Sequence, residues 1–162
     1  MSRKTDRTNP DSSAAPAAAE ALRLDRQLCF ALYAASGLVT RAYRPLLEPL
    51  GLTYPQYLAM LVLWEASPRS VGELGEALGL DSGTLTPLLK RMAAAGLVTR
   101  TRDPADERRV LIGLTDQGQA LRDRAATIPE TLACALPMPA AELVELRTTL
   151  QDFARKLRAS GA

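Results

Sequence analysis

The sequence predicts a mainly α-helical chain with one small β-hairpin near its centre and helical arms at both ends. Three observations predict it. Val71, Leu74, Ala77 and Leu78, then Leu85, Leu88, Leu89 and Met92, recur at helical spacing on either side of Gly79. Residues 97–114 hold two alternating runs, Leu97 to Arg102 and Arg108 to Leu114, around the turn chemistry of Asp103-Pro104-Ala105-Asp106. The composition, 47% hydrophobic but 4% aromatic and rich in Ala, Leu and Arg, is that of a helical protein. The central order is helix, turn, helix, strand, turn, strand, which is a winged helix-turn-helix.

The 162 residues suit one domain with a sizeable core. The expected layout is a disordered arm over 1–20 and a single domain over 21–162. Within that domain the winged helix covers 70–115, and dimerisation helices cover 21–50 and 116–159. Net charge is +2, so any affinity for nucleic acid must come from a local cluster of cations. There is no histidine, which removes His-based zinc sites, Ser-His and Cys-His nucleophiles and His general bases. The 2 cysteines are too few for a zinc finger or a disulfide scaffold. No cofactor motif is present. The polar start, Met1 to Arg7, lacks an apolar leader, and no apolar run is long enough to span a bilayer. The expected compartment is the cytoplasm, where thiols are normally reduced.

In chain order, Met1 to about Glu20 reads as a solvated arm of Ser, Asp, Ala and Pro, carrying Arg3, Lys4 and Arg7. A helix follows from Leu22 to about Thr40, with Leu24, Leu28, Leu32 and Ala35 as one stripe. Its LCFALYAA segment is apolar almost all round and requires cover on most sides, which a partner subunit supplies. A shorter helix runs from Thr40 to about Leu50, carries Tyr43 and ends at Pro49 and Gly51. Thr53 caps a third, Tyr54 to about Ala66, with Pro55 in its first turn. Leu58, Leu61, Val62 and Glu65 continue its pattern, and Trp64 reads as core. Ser67-Pro68-Arg69-Ser70 reads as the linker into the winged helix.

Gly79 can take the left-handed conformation that turns the chain between the two central helices. Asp81, Ser82 and Thr84 are all good N-caps for the second. Pro87 favours a start near Thr84, and an earlier start requires a bend. The outer face carries Ser82, Thr84, Thr86, Lys90 and Arg91: short hydroxyls to reach phosphates and base edges, long cations to reach the backbone. Arg100, Arg102, Arg108 and Arg109 crowd the hairpin. Beside a recognition helix, such a hairpin places an Arg in the minor groove; alone, it is a charged strand edge that resists aggregation.

Thr115 caps a long helix through Ala120, Leu121, Arg124 and Ile128, kinked or interrupted at Pro129, with Leu132, Cys134 and Leu136 beyond. The last helix carries Leu143, Leu146, Leu150, Phe153 and Leu157, a repeat suited to a seam against another helix. Two helical arms that cannot bury themselves predict a homodimer. Its two recognition helices then read a pseudo-palindrome in double-stranded DNA.

From the residues alone, Cys29 is either a packed core thiol or a redox sensor. All four tyrosines, Tyr33, Tyr43, Tyr54 and Tyr57, lie in the N-terminal helices with it, where hydroxyl donors to a thiolate belong.

The wing Asp103-Pro104-Ala105-Asp106-Glu107-Arg108-Arg109-Val110, with Ile112-Gly113-Leu114-Thr115 and Gly118, resembles the signature of the MarR family of homodimeric transcription regulators. That resemblance places the groove-inserted Arg of an Asp-x-Arg motif at Asp106 and Arg108. Leu24 to Tyr33, Leu52 to Tyr57 and Asp81 to Arg91 narrow it to the organic hydroperoxide resistance regulators. The resemblance implies that Cys29 is oxidised by organic hydroperoxides and that Tyr43 and Tyr54 hydrogen-bond it, with Tyr33 close by. It also implies that Cys134 forms an intersubunit disulfide with it. The implied protein is a repressor without cofactor or membrane contact. Two alternatives stand beside it: a repressor released by a reversible small ligand, and a thiol peroxidase using the two cysteines.

Overall fold

The computed structural model describes residues 20–161. The expected arm, with Arg3, Lys4 and Arg7, falls outside them apart from Glu20. The chain divides into two compact units, the first ending at Arg41 and the second beginning at Ala42.

In the first unit a 3-10 turn, Leu24–Arg26, precedes helix α1, Leu28–Leu47. The expectation of two helices meeting at Thr40 is therefore corrected: α1 is continuous, and Leu24 lies outside it. No turn-forming residue stands between Leu38 and Arg44, and Pro45 falls close enough to the C-terminal end to be accommodated. The break comes afterwards, at a second 3-10 turn, Glu48–Leu50, which Gly51 closes at φ 66°. Several apolar side chains of the first unit are exposed. Leu28 is 59% exposed, and Phe30, Tyr33 and Leu38 are exposed with it.

The second unit begins with the end of α1. Helix α2, Tyr54–Glu65, opens with a capping box in which the Thr53 N–H donates to Gln56 Oε1 at 2.8 Å. Its buried face is Tyr57, Ala59, Met60, Leu63 and Trp64. The expected stripe of Leu58, Leu61, Val62 and Glu65 is rotated from this, and Glu65 is exposed. The helix is apolar on so many sides that spacing alone could not choose the inner face.

Residues 67–70 are more than a linker, which is a second correction. Arg69–Ser70 forms strand β1, paired antiparallel with the wing at Arg69↔Ile112 and Ser70↔Leu111. Just outside it, the Leu114 N–H donates to Ser67 Oγ at 3.1 Å. An uncovered strand edge leaves backbone groups unpaired, and this short segment covers that edge. Helices α3, Val71–Leu78, and α4, Ser82–Ala94, follow, with Gly79 between them at φ 64°. Strand β2, Val98–Asp103, and strand β3, Asp106–Leu114, form the wing, and the sheet order is β1-β3-β2. The strands meet at Asp103↔Asp106, so only Pro104 and Ala105 form the loop, and β3 starts two residues earlier than its alternation suggested.

The core lies here. Leu74, Leu85, Leu89, Met92, Ile112, Met60 and Leu63 are almost wholly buried. Each such side chain contributes about 1.5–3 kcal/mol of transfer free energy. Thr115 caps α5, Asp116–Ala125, by accepting from the Gly118 N–H at 3.0 Å. The chain is interrupted before α6, Ile128–Ala135, where Pro129 takes a first-turn position. Helix α7, Ala140–Ala159, buries none of its residues, and its apolar repeat is exposed from Val144 (51%) to Leu157.

Candidate functional site

The recognition helix is set by its cap. Asp81 Oδ1 accepts from the Thr84 N–H at 2.9 Å, and Asp81 Oδ2 accepts from the Thr84 hydroxyl at 2.8 Å. Helix α4 thus starts at Ser82, earlier than Pro87 suggested. Pro87 stands in its second turn, where its missing N–H leaves the carbonyl of the exposed Gly83 without its helical partner. The cap outweighs the proline. One consequence concerns a candidate residue: the Thr84 hydroxyl proton is committed to Asp81. Ser82, Lys90 and Arg91 are exposed and Thr86 is half-buried, while Leu85, Leu88, Leu89 and Met92 face inward. This outer face is available to a groove.

The wing's four arginines, Arg100, Arg102, Arg108 and Arg109, are all exposed. Arg108 has a side chain 92% exposed. Its Nε and its backbone N–H both donate to Asp106 Oδ1 at 3.1 Å, and the paired guanidinium holds the Asp106 carboxyl below the usual carboxylate range. Asp106 therefore orients Arg108 without burying it. Arg109, next along the strand, has a side chain 50% exposed. It lies 3.6 Å from Glu73 and 3.8 Å from Asp103. Ser70, Ser82, Thr86, Arg100, Arg108 and Arg109 are among the residues that line an open cleft of about 480 Å³ between the wing and the two central helices. Arg100 joins the group through the β2–β3 pairing, opposite Ile112. Ser70-x-x-Glu73 is legible as a capping box, but nothing local announces that Glu73 meets a residue of the wing.

The tyrosines divide. Tyr43 and Tyr54 pack with ring centroids 4.8 Å apart, and Tyr43 and Tyr57 at 5.7 Å. Burial pushes all three hydroxyls up from their ordinary value, and for Tyr43 the neighbouring Tyr54 and Tyr57 add to it. They remain protonated donors well above neutral pH. Tyr57 was not among the expected site residues; its ring continues the cluster to Trp64. Tyr33 belongs to the first unit and is 78% exposed. Cys29, on α1, and Cys134, on α6, are both free and exposed. Neither is packed in a core of its own chain; beside Cys134 it is Leu132 that turns inward.

Among the described residues there is no group of three or more His, Cys, Asp or Glu side chains able to hold a metal ion. No described helix is long and apolar enough to cross a membrane.

The MarR family profile matches residues 52–110, from the end of the second 3-10 turn to the wing. The organic hydroperoxide resistance transcriptional regulator of Bacillus subtilis (strain 168) is 50% identical over 136 residues, 84% of this chain and 92% of the relative. The structure of reduced AbfR bound to DNA is 36% identical, with a TM-score of 0.74 over 88% of this chain and 98% of that one. The disulfide-formed structure of AbfR is also 36% identical, with a TM-score of 0.56 over 90% and 97%. The capped recognition helix, the Asp106–Arg108 wing and these relatives agree: the chain belongs to the MarR family of winged-helix transcriptional regulators.

Proposed function

We propose that the chain is a cytoplasmic, homodimeric repressor that releases its operator when an organic hydroperoxide oxidises Cys29. Ser82, Thr84, Thr86, Lys90 and Arg91 face the major groove and its phosphates, with Thr84 limited to its acceptor lone pairs, and Arg108 enters the adjacent minor groove. The exposed apolar side chains of α1 and α7 are covered by the second copy. The observation that carries the sensing half is the exposure of both thiols in the single chain, which keeps Cys29 out of that chain's own core. A 50% identical relative named for organic hydroperoxide resistance supports the choice of inducer.

The chemistry balances within the dimer. The Cys29 thiolate attacks one peroxide oxygen, the O–O bond breaks, and the alcohol leaves after taking a proton. Cys29 is then a sulfenic acid. The partner subunit's Cys134 condenses with it; the S–S bond forms and water leaves. Tyr43 and Tyr54, as protonated donors, stabilise the Cys29 thiolate across the dimer, with Tyr33 beside them. Leu28 and Phe30 favour an alkyl peroxide over hydrogen peroxide. The disulfide shifts the spacing of the two recognition helices, which must match half-sites about one helical turn apart. One equivalent of peroxide per site completes the switch, and the winged helix, which a thiol peroxidase would leave unused, favours a sensor over a turnover enzyme.

The test is a gel shift on a palindrome from the protein's own upstream region. It is run reduced, after stoichiometric organic hydroperoxide, and after dithiothreitol, with non-reducing electrophoresis alongside. Loss of binding with a covalent dimer band, both reversed by reductant, is expected. Cys29→Ser should bind and ignore peroxide; release of that variant by peroxide sinks the assignment of Cys29.

A further inference from the structure

Two arginines stand side by side in the wing, and the structure treats them differently. Both line the same cleft, but Arg108 has a side chain 92% exposed, while Arg109 is 50% exposed and lies between two carboxylates. We infer that Arg109 is a positioning residue for DNA reading: its guanidinium ties the wing to α3 through Glu73 and Asp103, and so sets where Arg108 stands. This rests on the reading that the winged helix binds DNA.

Both carboxylates are themselves held. Glu73 Oε2 accepts from the Ser70 N–H at 2.8 Å and the Ser70 hydroxyl at 2.6 Å, which fixes it at the start of α3. Ser70 is paired in turn with Leu111, two residues along the strand from Arg109. Asp103 is 13% exposed, and its Oδ1 accepts from the Ala105 N–H at 2.9 Å, which fixes it in the hairpin loop. Arg109 reaches Glu73 with Nη2 and Asp103 with Nη1, so its planar fork spans the joint between hairpin and helix. The base of the hairpin is anchored by Val98 and Ile112 in the core, but its tip has only the β2–β3 ladder and a two-residue loop to hold it against α3. A wing that swings spreads Arg108 over many positions. A wing tied at Arg109 presents it at one, and less ordering is then required on binding.

The competing role for Arg109 is a direct phosphate contact, and the two roles differ in sign. Near DNA, removing the negative charge of Glu73 should tighten binding by simple electrostatics, and freeing Arg109 should tighten it further. If Arg109 is a brace, the same change loosens binding. Glu73→Gln is the informative variant, because Gln still completes a capping box and helix α3 keeps its start. Arg109→Lys is the second: it keeps the charge but cannot bridge two carboxylates with one fork.

The experiment measures affinity of the reduced full chain for its upstream palindrome across several salt concentrations, with hydroxyl-radical footprinting of the minor groove. Arg108→Gln is the reference. Glu73→Gln and Arg109→Lys should each weaken binding about three- to fivefold, as befits partly exposed ion pairs. The salt slope should stay unchanged, and minor-groove protection should fade while major-groove contacts persist. Equal or tighter binding by Glu73→Gln, with Arg109→Lys like wild type, overturns the brace. A wild-type protein that leaves no footprint, or an Arg108→Gln variant that binds as wild type does, overturns the DNA-reading assignment instead.

Discussion

The indole N–H of Trp64 donates a 3.0 Å hydrogen bond to the backbone carbonyl of Gly118, 54 residues further along the chain. The Gly118 N–H donates to Thr115 Oγ1, and the Thr115 hydroxyl donates to the Gly96 carbonyl at 2.6 Å. Helix α2, the end of α4 and the start of α5 therefore meet at one point. Helix α5 leads on to α6 and Cys134, so this junction lies between those helices and the winged helix.

Trp64→Phe removes the hydrogen bond and part of a ring that is 8% exposed. We expect a loss of about 1–3 kcal/mol, seen as a lower urea midpoint at unchanged slope. A variant as stable as the parent contradicts the importance of this junction.

Gly118→Ala is more severe for a steric reason. A Cβ at Gly118 would collide with the Leu97 carbonyl oxygen, which is backbone and cannot swing away. Overpacking of this kind costs about 1–3 kcal/mol or more. At Gly79 a Cβ would meet nothing within 4 Å, so Gly79→Ala bears only the left-handed backbone, about 1–2 kcal/mol. Thermal melts of the two variants should rank Gly118→Ala below Gly79→Ala, and the reverse order refutes the steric argument.

Three carboxylates of the winged helix titrate below their ordinary range. Glu73 is lowered first by its hydrogen bond from Ser70, Asp81 by Thr84 and Asp106 by Arg108. A carboxylate with a depressed folded value contributes stability that is complete above its unfolded value, about 4, and is lost as pH falls through the folded one. Stability should thus be flat through neutral pH and decline below about pH 4. Asp81→Asn keeps a cap acceptor without the titration, so its acid limb should be shallower. An unchanged limb would assign the acid loss to other groups.

Cys134→Ser separates the two oxidation steps. We expect peroxide to leave a dimedone-reactive sulfenic acid at Cys29, with no covalent dimer on a non-reducing gel. A covalent dimer in this variant would show that Cys134 is not the resolving thiol.

Local signals were readable where local physics decides. The inner stripe of α4, the turn at Gly79 and the caps at Thr53 and Thr115 all follow from spacing and backbone preference. Features set by distant partners were not. Strand β1 exists because β3 offers an edge some forty residues later, and two residues carry no periodicity. The inner face of α2 was ambiguous because nearly every side of it is apolar. The start of α4 turned on a contest between Asp81 and Pro87 that propensity weighed the wrong way. At the candidate site, the Asp-x-Arg motif singles out Arg108 in sequence, but the role of Arg109 depends on the location of Glu73, which nothing local reveals.

The bare apolar stripe of α1 also bears on how the protein is made. Synthesis proceeds from the N-terminus at roughly 5–20 residues per second. Phe30 thus leaves the ribosome on the order of ten seconds before Val144 exists. Through that interval the nascent chain carries an uncovered greasy helix ahead of a winged helix that can already fold. Exposed apolar surface of this kind is prone to aggregation, so the first helix is the part of the chain most in need of early cover.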